Sequence, residues 1–239
     1  MKKFVSNAEI SSGTGSASEI WENIYSKKEW GKYPSEAVIR FIARNFYNAA
    51  DRNAVRVLEL GLGTGANLWF CAREGFRVSG VEFSQSGIER FEGRMKAENL
   101  IGKIDKIVQG DYFDKLDEFD DEGFDALLDS YSLAYNDFER TKAIIDKALN
   151  KLKRGGKFLS ITPSAKNEGF EADENLGYHQ VKPTSGSDAF TGIIRFCDED
   201  DISRLYSGTN YDISSISNIT HSAKGVITND LFIIEVVKK

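Results

Sequence analysis

The 239-residue chain has two cysteines, two histidines and three prolines. Cys71 and Cys197 allow at most one disulfide and no cysteine-ligated metal cluster, so a reducing compartment is the simpler expectation. His179 and His221 stand in no metal-ligand spacing, and no metal is expected. No apolar run approaches the roughly 20 residues that span a bilayer. The opening MKKFVSNAEISSGTGSASEI has the basic residues of a signal peptide without the apolar stretch that should follow them. A soluble, cytoplasmic protein with no membrane partner is expected. Positive charge is not in excess either. The formal net charge of -6 argues against a nucleic-acid binder that relies on bulk electrostatics, and no nucleic-acid partner is expected. There is no internal repeat.

What the chain does have is enough apolar (41%) and aromatic (12%) character for one large core. A first helix is expected over 18–28. A second begins at Pro34, with Val38, Ile39, Ile42, Ala43 and Phe46 on one face. Short strands and helices then alternate: strand 55–60, helix 66–74, strand 76–82, helix 86–99, strands 103–109 and 124–130, a helix from 137 to 152 stopped by Gly155-Gly156, and strand 157–162. This alternation implies a doubly wound, mostly parallel α/β sheet with helices on both faces. Residues 163–192 hold two of the three prolines and no clear period, and read as an insert. A short helix at DEDDISRLYS and two strands, YDISSISNIT and DLFIIEVV, complete a seven-stranded sheet with an antiparallel C-terminal edge.

The stretch VLELGLGTGANLWF, 57–70, places Gly61, Gly63 and Gly65 where a strand ends and a helix begins. Such a turn lets backbone pass close to a bound cofactor. With Ala66 in the last position it satisfies the dinucleotide fingerprint, and Glu82 supplies the acid about 20 residues on, so an NAD-dependent oxidoreductase is one reading. Against it, Glu59 lies two residues before the first glycine, where it would repel a pyrophosphate but attract an ammonium or sulfonium. Gly110-Asp111-Tyr112 follows the third strand, offering a carboxylate and a ring suited to adenine. Asp129 ends the fourth strand, so four strand ends each bring an acid to one crevice. The runs DEFDDEG and DEDD read as solvated surface and helix-start charge.

These pieces, ELGLGTG at 59–65, VEFS at 81–84, GDYF at 110–113, DALLDSYSLAY at 125–135 and LKRGGKFLSI at 152–161, resemble the class I S-adenosylmethionine-dependent methyltransferase family in order and spacing. The resemblance implies a Rossmann-like fold with S-adenosylmethionine as cofactor and S-adenosylhomocysteine as product. It implies that Glu59, Gly61, Gly63 and Gly65 line the methionine part, that Asn67 also binds the cofactor and that Glu82 grips the ribose hydroxyls. Phe83 would lie along the adenine, Asp111 would accept from its amino group, and Tyr112 or Phe113 would complete that wall, with Ser84 also among the cofactor-binding residues. Asp129 and Ser130 to Leu133 would border the reacting methyl. Asp111 also suits a helix N-cap, and Asp129 a purely structural role. The chain then divides into a lead-in (1–33), a cofactor-binding core (34–162), a substrate-side insert (163–196) and closing elements (197–239).

Methyl transfer needs alignment of the acceptor, exclusion of water and, for a hydroxyl acceptor, a base. His179 in the insert and Asp129 are the candidates for catalytic base, although a lone loop histidine is also an ordinary surface residue. His221 looks structural. Trp21, Tyr25, Trp30 and Tyr33 suit a lid over the site, hinged at the Gly/Ser-rich 11–18, or equally a helix packed on the core. Tyr131 and Tyr135 are expected on the acceptor side. Arg195, Lys166 and Lys182 are candidates to pair with a phosphate or carboxylate of the substrate. The lead-in resembles, more loosely, that of bacterial small-molecule methyltransferases. The expected function is methylation of an oxygen or nitrogen of a small polar acceptor, sugar-like or phosphorylated, by a monomer or homodimer. The competitors are the oxidoreductase and a module that binds the cofactor without catalysis.

Overall fold

The computed structural model describes residues 16–27, 30–167, 170–171, 173, 175–184, 188–189 and 191–239. Residues 11–15, most of the expected hinge, lie outside them. Helices α1 (Ala17–Lys27) and α2 (Glu36–Phe46) precede a sheet built from β1 (Arg56–Leu60), β2 (Arg77–Glu82), β3 (Ile104–Gln109), β4 (Phe124–Ser130) and β5 (Leu152–Pro163). Between these strands run α3 (Ala66–Arg73), α4 (Gln85–Ala97), the short α5 (Tyr112–Lys115) and α6 (Phe138–Asn150). The pair β6 (Gln180–Val181) and β7 (Ile194–Arg195) follows, then α7 (Glu199–Leu205), β8 (Tyr211–Ala223) and β9 (Val226–Lys238).

The seven-stranded sheet has the order β3-β2-β1-β4-β5-β9-β8. Its first five strands pair in parallel, while β9 runs antiparallel to β5 and to β8. The C-terminal antiparallel part is therefore two strands deep, and the sheet ends on β8. Alternation within each strand sends side chains to two cores. Leu58 of β1, Leu127 of β4 and Phe232 of β9 pack with Ile144, Ile145 and Leu149 of α6 and Ile202 of α7. Val57, Ala126, Leu128 and Ile233 pack on the other face with Phe41 and Ile42 of α2, Leu68 of α3 and Phe91 of α4.

Three expectations are corrected. Gly155-Gly156 does not stop α6, which ends at Asn150; the glycines lie within β5, where Gly155 takes a φ of +75°. The second helix starts two residues after Pro34, because the Ser35 side chain accepts from the Val38 amide and acts as N-cap. The insert is not formless. Val181, Ile194 and Phe196 bury against Ala134 with Tyr135 and Phe170 beside them, a small core that the lack of period in the sequence concealed.

Candidate active site

Strand order reverses between β1 and β4, the place where open α/β sheets bind ligands beyond their carboxyl ends. A cavity of about 400 Å³ opens there. Its floor is the turn after β1, where Gly61, Gly63 and Gly65 have φ of +67°, +55° and +77°. These are left-handed conformations in which a Cβ is strained. Space forbids one as well: a Cβ on Gly61 would lie 2.0 Å from Ser132 Oγ, and one on Gly65 2.1 Å from the Phe91 ring. Gly61 and Gly63 line the cavity, but Gly65 does not; its role is to let α3 and α4 approach.

Two buried carboxylates flank this turn. The amides of Gly63 and Ser84 donate to Glu82 Oε2 and Oε1 at 2.7 and 2.9 Å, which ties the turn to the end of β2. Burial pushes the Glu82 carboxyl above its ordinary value against those donors. Glu59 is 1% exposed; Asn67 Nδ2 donates to its Oε1 at 2.6 Å, while Oε2 has no hydrogen-bond partner among the described residues. Desolvation, helped by the charges of Asp129 and Glu82, pushes Glu59 up to about 8. A buried carboxylate oxygen short of a donor, at the wall of a cavity, is a site for an ammonium. Phe83, Asp111 and Tyr112 continue the wall. Asp111 also caps α5 through the Phe113 amide (2.8 Å) and accepts from Arg140 Nη2 (2.7 Å). Tyr112 is fixed by donating to the Ser132 carbonyl and accepting from Asn136 Nδ2.

The lead-in roofs the cavity. Trp21, Tyr25, Trp30 and Tyr33 all line it, and Trp21 lies 5.1 Å, centroid to centroid, from Tyr135 and 5.2 Å from Tyr25. Polar contacts hold this roof down. The Ser84 hydroxyl donates to Glu22 Oε2 at 2.6 Å and the Ser86 amide at 3.1 Å; Thr64 Oγ1 donates to the Trp30 carbonyl at 2.8 Å; Arg90 donates to the Tyr25 and Ser26 carbonyls. Ser84 thus caps α4 and receives the roof, lying behind the cavity wall instead of along a ligand.

Several expected residues lie elsewhere. Asp129 is 1% exposed and does not line the cavity; its oxygens accept from the Leu133 amide (3.0 Å) and Ser160 Oγ (2.7 Å), so it braces the loop after β4. His179 is also outside the lining, with Nδ1 paired to Asp201 Oδ2 at 2.8 Å and its ring stacked on Tyr178. Neither is placed to take a proton from an acceptor. Arg195 is 1% exposed, with Nη1 donating to Cys197 Sγ at 2.8 Å and its guanidinium 5.8 Å from the Phe138 ring centroid; it faces no substrate. Phe113 sits under the cations of Arg140 and Lys147. Lys166 pairs with Glu199 at the surface, and Lys182 forms no described part of the wall. Conversely, the insert contributes Asp188 and Thr191 to the cavity, and the loop after β4 contributes Asn136 beside the expected Ser130, Tyr131 and Tyr135. Asp188 and Thr191 carried no signal in a segment without period.

Residues 57–156 match the family model described as a methyltransferase domain. Over those residues the chain carries a methyltransferase domain. No curated protein matches the chain. Among solved structures, this methyltransferase is similar to geranyl diphosphate C-methyltransferase from Streptomyces coelicolor A3(2), solved with S-adenosylhomocysteine. The TM-score is 0.69 at 12% identity, covering 95% of this chain and 99% of that one. A SAM-dependent methyltransferase from Methanosarcina mazei gives 0.66 at 16% identity, covering 83% and 96%. A structure of disulfide-to-thioacetal conversion in echinomycin biosynthesis gives 0.67 at 16% identity, covering 94% and 92%. At these identities the likeness is one of fold. The unpartnered Glu59 oxygen, the glycine floor and the Glu82 carboxylate fit S-adenosylmethionine, the cofactor expected from the sequence resemblance. Among the described residues, no helix is long and apolar enough to cross a membrane.

Proposed function

We propose that this methyltransferase methylates an oxygen or nitrogen of a small polar molecule enclosed beneath the α1 roof. The observation that carries the reading is the continuity of one cavity from Glu59 and Glu82 to Tyr131, Tyr135, Asp188 and Thr191, so that cofactor and acceptor would share a chamber bordered by Trp21 and Tyr25. Its volume is that of a small-molecule site.

S-adenosylmethionine supplies an activated methyl whose carbon–sulfur bond electrons stay on sulfur as the acceptor's lone pair bonds the carbon. Glu59 and Asn67 would hold the ammonium end, Glu82 the ribose hydroxyls, and Phe83, Asp111 and Tyr112 the adenine. The roof would exclude water, and Tyr131 and Tyr135 would border the acceptor. Of the two acceptor classes expected, a phosphorylated one has less support: none of the described lining residues is Lys, Arg or His. Net acidity and a cavity of small-molecule volume favour a free metabolite over nucleic acid, met in the cytoplasm by a monomer or homodimer. The Glu59 oxygen that lacks a donor disfavours NAD, and the extension toward Asp188 disfavours a module that only holds cofactor.

The test is calorimetric titration with S-adenosylmethionine, S-adenosylhomocysteine and NAD, followed by acceptor screening for S-adenosylhomocysteine release. Micromolar binding of the first two, lost in Glu82→Ala, is expected; binding of NAD alone would overturn the reading.

A further inference from the structure

We propose that two copies of this chain join through their β8 strands, antiparallel about a two-fold axis at Asn218, into one continuous sheet. The proposal is independent of the reaction the cavity performs. It rests on the two edges of the sheet, which are built differently.

The β3 edge is guarded. β3 is six residues long and carries Asp105 and Lys106; Arg56 and Arg77 pair with Asp105, and Lys106 with Glu118. Short strands and charged side chains stop an edge from taking on another strand. β8, at the other end, has neither device. It runs 13 residues, and from Ile213 to Ala223 it contains no Asp, Glu, Lys, Arg or Pro. Among the described residues no strand pairs with its outer side. Ile216, near its middle, is 46% exposed. A long, neutral edge strand is a template for a further strand.

Irregularities of register also guard edges, and here they set the limits of the open stretch. The ladder between β8 and β9 shifts at Ile213/Ser215 and again at His221/Ser222. Between these shifts, Ser215 to His221 pair without interruption with Glu235 to Asn229. The midpoint of that regular stretch is Asn218.

The midpoint selects the occupant. Identical strands pair antiparallel about a two-fold axis, and the regular stretch meets its own copy over its whole length only where that axis passes Asn218. Ser215 then faces His221 of the second copy, and Ile216 faces Thr220, which covers the exposed isoleucine. Charge agrees with the same register. Asp212 and Lys224 are the first charged residues on either side, each six positions from Asn218. Asp212 of one copy thus approaches Lys224 of the other, and no like charges meet along the seam. Chains of net charge -6 repel one another, and a neutral strand is where they meet at least cost. A foreign peptide would require neither the central Asn218 nor the Asp–Lys symmetry. The pairing uses both β8 edges and leaves only the guarded β3 edges, so assembly stops at two copies.

The test is sedimentation velocity with site-specific cross-linking on the full chain. A species of twice the chain mass is expected. Ser217→Lys, which sets like charges diagonally across the axis, should weaken it roughly tenfold. Under glutathione disulfide, Asn218→Cys should form a linked dimer, because directly opposed residues of an antiparallel pair have Cα atoms within disulfide reach. Ser215→Cys should not, because its copy lies six residues, about 20 Å, away along the strand. The native Cys71 and Cys197 are buried and do not compete. Thermal midpoints should stay unchanged in all three variants, so that a lost dimer is not a lost fold. A monomer at all concentrations, a dimer insensitive to Ser217→Lys, linkage through position 215 as readily as through 218, or growth beyond two copies would overturn the proposal.

Discussion

The carboxylate of Glu22, on α1, accepts from the hydroxyl of Ser84, the N-cap of α4, across 62 residues of chain and at 2.6 Å. The Ser86 hydroxyl and amide donate to the same carboxylate. One side chain thus both latches the roof of the cavity and places negative charge at the positive end of a helix.

Replacing that latch should loosen the roof without unfolding the sheet. Glu22→Ala is expected to speed cofactor dissociation roughly tenfold, the scale of losing charge-assisted hydrogen bonds, while the thermal midpoint of the unliganded protein moves little. Stopped-flow quenching of Trp21 fluorescence reads the rate. Hydrogen bonds from Ser84 and Ser86 hold the Glu22 carboxyl below its ordinary value. The latch is therefore intact above the ordinary carboxyl range and lost as pH falls through the lowered value, so dissociation should accelerate only in acid.

Glu59 behaves in the opposite sense. Burial pushes its carboxyl up to about 8. Between the ordinary carboxyl value and pH 8 the folded state therefore carries a proton that the unfolded state has lost. The contribution of Glu59 to stability is full below the ordinary value and declines as pH rises through about 8. An ammonium beside Oε2 reverses the preference, so cofactor binding should release a proton and tighten with pH up to about 8. Calorimetry at pH 7 in phosphate and in Tris should give different apparent enthalpies, and Glu59→Gln should make them agree. Agreement in the unmodified protein would remove Glu59 from the cofactor's cation.

The two inner glycines of the turn should fail differently. A Cβ on Gly65 meets the buried Phe91 ring, and its φ is +77°. Gly65→Ala should cost about 2–4 kcal/mol in urea denaturation, overpacking added to left-handed strain. A Cβ on Gly63 would lie 2.8 Å from the Tyr25 hydroxyl, part of the roof, which can lift. Gly63→Ala should cost less stability and more cofactor affinity. The reverse order would mean that the roof, not the α3–α4 contact, is the rigid partner.

His179→Ala should be a stability variant. It leaves Asp201, fully buried, without the partner of its Oδ2 side chain–side chain bond at 2.8 Å. A loss of about 1–3 kcal/mol is expected, with S-adenosylmethionine affinity unchanged. A large fall in affinity with normal stability would return His179 to the site.

The parallel strands, the glycine turn and the carboxylates Glu59 and Glu82 were legible in the sequence because each depends on neighbours in the chain: an apolar run, a turn residue, an acid at a strand end. Gly65 was legible as a glycine but not as a packing glycine, since Phe91, which decides its role, belongs to another helix. Asp129 and His179 have the chemistry of bases. Ser160 and Leu133 claim the first and Asp201 the second, and no spacing announces such pairings.

The sequence by itself determined a doubly wound, mostly parallel sheet and the end of it at which a ligand binds, because strand–helix alternation and right-handed crossovers admit few topologies; the strand order came from the structure. Only the tertiary structure decided that the aromatic lead-in lines the cavity, that Glu22 fastens it to α4, and that Asp188 lines the cavity while Arg195 does not. Those outcomes depend on contacts between residues far apart in the chain. Burial then settles which charged groups face the cavity and which are spent holding the fold together.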